Sequence, residues 1–168
     1  MAACSAPKRP RPSALEATVT TVTIPGLGAP DGIFVLGDGT RLFSSGPTIL
    51  QLAPSGRLAT IAGDPQDEEG VVVKDGQGIF ARFNCPARLT VDRAGNVVVA
   101  DRDNHAIRSV TKEGAVVSTL AGGRQEGDDE DDGVDAGFAD GTGANARFNG
   151  PQGVVVAANG DILSLIHI

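Results

Sequence analysis

Apolar residues along this chain come in short runs, broken every few positions by Gly, Asp or Asn. That is the pattern of strands joined by turns. It is clearest over residues 89–120. Leu89-Thr90-Val91 alternates apolar and polar, as a half-buried strand does. Asp92-Arg93-Ala94-Gly95 is a turn cluster, with Gly95 available for positive φ. Asn96-Val97-Val98-Val99-Ala100 is a continuous β-branched run, which suits a strand buried on both faces. Asp101 to His105 reads as a polar loop. Ala106-Ile107-Arg108-Ser109-Val110 alternates again, Glu113-Gly114 turns the chain, and Val116-Val117-Ser118-Thr119-Leu120 gives a fourth strand. Four short antiparallel strands with tight turns form one meander. Its inner strands are apolar on both faces, so the sheet must lie between similar sheets. Radial stacking of four-stranded sheets is a β-propeller. The expected fold class is all-β, built of four-stranded antiparallel blades.

An internal repeat supports this. Asp75-Gly76-x-Gly78-x-x-Ala81-Arg82-Phe83-Asn84-x-Pro86 returns ungapped as Asp140-Gly141-x-Gly143-x-x-Ala146-Arg147-Phe148-Asn149-x-Pro151, with eight of twelve positions identical. Repeats dictate architecture before chemistry. The glycine spacing does not make a dinucleotide fingerprint, because Pro86 and strand residues follow where a helix is needed. The structural reading gives Gly76 and Gly78 a tight turn, makes Phe83 a plug between neighbouring sheets with Phe148 its equivalent, and lets Asn84 bond nearby backbone. Arg82 and Arg147 are expected either to pair with the acidic connections or to face a partner.

A weaker copy precedes the repeat and a shortened one ends the chain. Over residues 26–63, Ile33 and Val35 align with Leu89 and Val91, Gly39 with Gly95, Leu42-Phe43 with Val98-Val99, and Ile49 with Ile107. Ser44-Ser45 stand where Ala100-Asp101 do, and the Asn-His pair is missing. The last copy opens well at Pro151-Gln152-Gly153-Val154 and ends in Ser164-Leu165-Ile166-His167-Ile168, where an Ala-Asp loop is expected. The expected organisation is a tail over 1–16 and a partial propeller over 17–168. Its parts are blades at 26–63 and 84–122, a truncated blade at 149–168, and connections at 64–83 and 123–148. Residues 17–24 form an isolated strand candidate of high β propensity, placed to close a ring with strands of a longer chain. On this reading the chain is an N-terminal fragment, with further blades of its own as partners. An open arc would leave an apolar face uncovered.

Ala100-Asp101-x-x-Asn104-His105-x-Ile107-Arg108, with the Gly95-Asn96 turn before it, resembles the NHL repeat. The Asp-Gly-x-Gly approach is similar to the variant with long connections between blades. The resemblance covers about residues 26–168. It implies a propeller, commonly of six blades, and a non-catalytic protein-interaction module of the kind found in scaffolds and ubiquitin-ligase adaptors. Some relatives are metal-dependent lyases and lactonases with ligands at the central channel, and that is the alternative. A metal site needs several His, Cys or carboxylate ligands. His105 is the only histidine in well-matched context. It is expected, with Asn104, to shape the loop between the second and third strands, while Asp101 accepts bonds from turn amides. No catalytic, cofactor or metal residue is assigned.

Composition narrows the partners. The formal charge of −7 argues against nucleic acid, whose affinity rests on phosphate neutralisation. The chain has six Phe, no Tyr and no Trp, and 40% apolar residues, enough for a core. Residues 1–14 are rich in Pro and Ala around Lys8-Arg9-Pro10-Arg11, which reads as a solvated tail or an import signal. Glu126 to Asp135 holds seven carboxylates in ten residues, and Asp67-Glu68-Glu69 is a smaller cluster. Neither has calcium-loop spacing, so both read as solvated loops. Cys4 and Cys85 make no disulfide framework, there is no apolar signal-peptide core, and no run reaches a membrane span. A cytoplasmic or nuclear setting is expected.

Overall fold

The computed structural model describes residues 23–66, 73–123 and 136–165. The tail 1–16, most of the 17–24 strand candidate and both acidic clusters lie outside them. Three antiparallel sheets follow one another along the chain. The first is a meander of β1 (Pro30–Val35), β2 (Arg41–Ser45), β3 (Thr48–Leu52) and β4 (Leu58–Ala62). The second starts with a short β5 (Gly76–Gln77) and continues as β6 (Pro86–Val91), β7 (Val97–Asp101), β8 (Ala106–Val110) and β9 (Val116–Gly122), in the order β5-β9-β8-β7-β6. The third is the hairpin of β10 (Gly153–Val156) and β11 (Ile162–Leu165). The described sheets do not close into a ring.

Equivalent pairs keep the same register. Ile33 faces Phe43 across β1 and β2, Leu89 faces Val99 across β6 and β7, and Val154 faces Ser164 across β10 and β11. The third copy therefore holds its strand through Leu165, although its sequence departs from the repeat at Ser164. β-pairing is fixed by backbone bonds and the tight Asn159-Gly160 turn, so the departing side chains do not disturb it.

Side chains alternate between two inter-sheet cores. Leu42, Ile49 and Ala62 of the first sheet meet Leu89, Val97, Val99, Val110 and Val117 of the second. On its other face the second sheet offers Val98, Ala100 and Ile107 to Phe148, Val154 and Val156. Val98 and Val99 are both buried, as a strand between two sheets requires. Burying such a valine contributes ~1.5–3 kcal/mol relative to leaving it in water.

The outer faces of the two end sheets differ among the described residues. On the outer face of the first sheet, Phe43, Leu50 and Leu52 are buried beneath Ile24, Leu27 and Leu58. Chain ahead of β1 therefore folds back over that face. Ile33 and Val35 beside it remain exposed, and so do Val155, Leu163 and Leu165 on the outer face of the third sheet.

The Asp-Gly-x-Gly turn does more than reverse the chain. Gly76–Gln77 adds a fifth strand to the outer edge of β9, with Gly76 opposite Val117. A single 3-10 turn over Gly78–Phe80 follows, and Gly143–Asn145 repeats it. Gly78 and Gly143 sit at φ +56° and +58°. The bridges Lys74–Arg82 and Ala139–Arg147 close the two connections in the same way.

Candidate functional site

The most concentrated polar site is buried where the first connection meets the second sheet. At its centre is Arg108 of β8, fully buried. Its guanidinium donates to Asp101 Oδ2 at 2.9 Å, to Asp75 Oδ1 at 2.8 Å, and to the carbonyls of Lys74 and Arg82 at 2.9 Å each. It also lies 5.0 Å over the Phe83 ring, within reach of a cation–π contact. Arg108 Nε alone is left without a partner. A planar fork of donors suits this task, because one side chain can hold a strand end, a connection and a ring together.

Asp101 is the fully buried acid of the site. Its Oδ1 accepts the Asn84 backbone N–H at 2.9 Å and its Oδ2 the Asn104 side-chain amide at 2.9 Å. Burial pushes its carboxyl up to about 6, against the opposing pull of Arg108 and the amide donors. The expected bonds from amides of its own turn are therefore replaced. The donors come from the backbone of the preceding connection and from two side chains, Asn104 of the loop and Arg108 of β8. Asn84 likewise contributes its backbone: its N–H reaches Asp101 and its carbonyl accepts the Asp103 N–H. Asp75 ties the connection to β9, accepting the Thr119 backbone N–H and hydroxyl at 3.0 Å each.

His105 shapes its loop in the left-handed region, at φ +51°. Its carbonyl accepts the Gly123 N–H. Its ring reaches further, with Nδ1 accepting the Gly150 N–H at 2.9 Å. The histidine thus links the second sheet to the entry of the third. The first sheet has only Gly46-Pro47 at this place and makes no such link. Nearby, Cys85 is at φ +48°. Burial pushes its thiol up, helped by Asp103. Asp103 is held below the usual carboxylate range by its bond from Arg102.

The two plug phenylalanines share a seat but not a depth. Each ring lies against the glycine ending the previous sheet, Gly63 for Phe83 and Gly122 for Phe148. Those glycines take φ +86° and +68°, and a Cβ there would also strike the Pro47 or His105 carbonyl. Phe83 is completely buried, whereas Phe148 is half-buried. Four strands back Phe83 on the second sheet, but the described third sheet gives Phe148 only a hairpin. Pro86 opens β6 and Pro151 lies two residues ahead of β10, and both are fully buried.

Arg82 pairs with Asp64 at 3.0 Å and donates to the Ile79 carbonyl at 3.2 Å. That fixes the 3-10 turn so that Ile79 and Phe80 project into solvent, 54% and 70% exposed. The second connection has Ala144 and Asn145 there, so Asp140, Gly141 and Gly143 repeat the turn but not its apolar tip. A groove of about 420 Å³ also opens between the first two sheets, floored by Leu42, Val97 and Val110 with Asp38 and Lys112 among its polar lining.

The sequence marked Asp75, Asp101, Asn104 and His105 as motif residues, but not Arg108 as the centre on which Asp75 and Asp101 converge. The signal available was its repeat position. Arg108 takes the place of Leu50, each opposite its β-strand partner, Val99 or Phe43. A charged residue in a strand position buried elsewhere needs buried partners. Among the described residues, no group of three or more His, Cys, Asp or Glu could hold a metal ion, and no helix is long and apolar enough to cross a membrane.

Comparison with known proteins places this geometry. Residues 83–108 match the NHL repeat. No curated protein matches the chain. Among solved structures, it is similar to a protein of unknown function from Bacteroides thetaiotaomicron, at 26% identity and TM-score 0.56, over 70% of this chain and 27% of that one. An auxiliary nutrient binding protein from the same organism gives 24% identity and TM-score 0.58, over 76% and 32%. Another from Bacteroides ovatus gives 24% and 0.55, over 73% and 31%. The chain spans about a third or less of these structures' length. Residues 83–108 match the NHL repeat, and the antiparallel sheets around them are successive blades of an incomplete β-propeller, left open in the described residues.

Proposed function

We propose that this chain acts as a binding module that engages a protein partner through its exposed loops. The observation that carries this reading is the Ile79-Phe80 tip. Large apolar side chains standing in solvent on an anchored turn are a recognition feature. The turn is held by the Arg82–Asp64 pair and by the Gly63 N–H bond to the Gly78 carbonyl. An aromatic on a fixed turn loses little conformational freedom on binding, so more of its burial appears as affinity. Meanwhile Asp75, Asp101, Asn104 and Arg108 are engaged in holding the first connection against the second sheet, which suits them to architecture. Binding loops on a rigid scaffold are the usual division of labour in such folds.

Cross-linking the purified chain to its partner in extract, followed by measurement of affinity with that purified partner, tests this. Phe80→Ser is expected to weaken binding at least tenfold while leaving the melting temperature unchanged, because a side chain this exposed contributes little to the core. Unchanged affinity in Phe80→Ser combined with Ile79→Ser would overturn the assignment.

A further inference from the structure

We propose that Asn149 is a site of structure-assisted deamidation, with His105 as the base. Three observations meet at this point. Asn149 is exposed and precedes Gly150, which has no side chain to hinder ring closure and sits at φ +55°. The Gly150 N–H donates to Nδ1 of His105, 2.9 Å away. The contact joins residues 45 apart in sequence, so only the folded chain supplies it.

A backbone nitrogen that loses its proton can attack the side-chain carbonyl of the preceding asparagine. Here the Gly150 N–Cγ bond of Asn149 forms as the proton passes to His105 Nδ1. The tetrahedral centre then breaks its Cγ–Nδ2 bond. The imidazolium returns the proton to the departing nitrogen, ammonia leaves, and a succinimide remains. Water opens the ring at Cγ to give aspartate, or at the main-chain carbonyl to give isoaspartate. No electrons are exchanged and His105 ends as it began. A positioned base of this kind typically accelerates such a transfer by ~10²–10⁴-fold. Either product places a carboxylate beside His105. The isoaspartyl form also lengthens the backbone three residues before Gln152, whose carbonyl accepts the Arg88 N–H across the blade junction.

The chain contains its own controls. Asn159-Gly160 is the other Asn-Gly pair, but the Asn159 amide donates to Asp161 at 2.6 Å and its carbonyl accepts the Asp161 N–H at 3.1 Å. Those bonds hold the side chain away from attack. Asn84, the repeat equivalent of Asn149, is followed by Cys85, and the first sheet has Gly46-Pro47, with no imidazole, where the second has His105.

The test incubates the whole 168-residue chain in warm neutral buffer, native and in guanidinium, and quantifies aspartate and isoaspartate at each asparagine by peptide mapping. Asn149 is expected to convert faster in the native protein than in the denatured chain, and Asn159 slower. His105→Asn keeps an acceptor oxygen near the Nδ1 position and tolerates positive φ. It is expected to lower the native rate at Asn149 by about tenfold or more, without changing Asn159. Slower conversion of Asn149 in the native than in the denatured chain would overturn the proposal, since the hydrogen bond would then be protective. So would an unchanged rate in a folded His105→Asn protein. If that variant does not fold, the native-against-denatured comparison in the unsubstituted chain decides alone.

Discussion

Replacing Arg108 by leucine separates the contribution of the buried ion network from that of packing. The first blade already carries Leu50 at this position, so leucine fits the strand in shape and period. The charge environment differs. In the second blade, Arg108→Leu leaves Asp101 fully buried with only the Asn84 N–H and the Asn104 amide. It also strips donors from the Lys74 and Arg82 carbonyls and removes the cation over Phe83. Asp75 is part exposed and keeps both Thr119 bonds, so its share of the loss is small. Removing one partner of a buried ion pair costs ~3–5 kcal/mol, mostly because the other charge stays buried alone. The lost carbonyl donors are part of that figure, since all act through one side chain. Adding Asp101→Ser recreates the Ser45/Leu50 combination of the first blade and takes away the stranded carboxylate. The double variant should therefore be more stable than the sum of the single losses predicts, by a coupling of ~1–3 kcal/mol. The chain has no Trp or Tyr, so urea unfolding is best followed by far-UV circular dichroism. A loss below ~1 kcal/mol in Arg108→Leu, or additive losses in the double variant, would refute the reasoning.

Three other outcomes follow from the same structure. Phe83→Ala should cost ~3–5 kcal/mol and Phe148→Ala clearly less, because only Phe83 is fully enclosed; equal losses on urea unfolding would contradict the difference in depth. Val98→Ala and Val99→Ala should each cost ~1–3 kcal/mol, since one fills the core toward the third sheet and the other the core toward the first. If either tolerates Asp with unchanged melting, two-faced burial is wrong. The folded Asp101 carboxyl titrates at about 6, above its unfolded value of about 3.9, so the folded state binds this proton more tightly. The stability it contributes is complete below about pH 4 and is lost as pH rises through about 6. Relative to Asp101→Asn, which cannot titrate there, the unsubstituted protein should lose stability across that window, and a difference that rises with pH would reverse the sign.

The short-range patterns determined the blades. Strand period, Gly-containing turns and a run of valines are properties of a few neighbouring residues, and they carry over whatever the rest of the chain does. The repeat extended this to the connections, because equal text in equal context folds alike: the Lys74–Arg82 and Ala139–Arg147 bridges show it. The resemblance to the NHL repeat marked Asp101, Asn104 and His105 as belonging together. What those side chains touch was decided only in three dimensions. Arg108 meets carbonyls 26 and 34 residues away, and His105 meets an amide 45 residues away. Such contacts depend on which face of which sheet packs against which connection, and no local pattern records that. The different depths of Phe83 and Phe148 show the limit most plainly. The motif is the same, but burial depends on how much neighbouring sheet surrounds each ring. A sequence repeat specifies a conformation, whereas the solvent a side chain loses is specified by its neighbours.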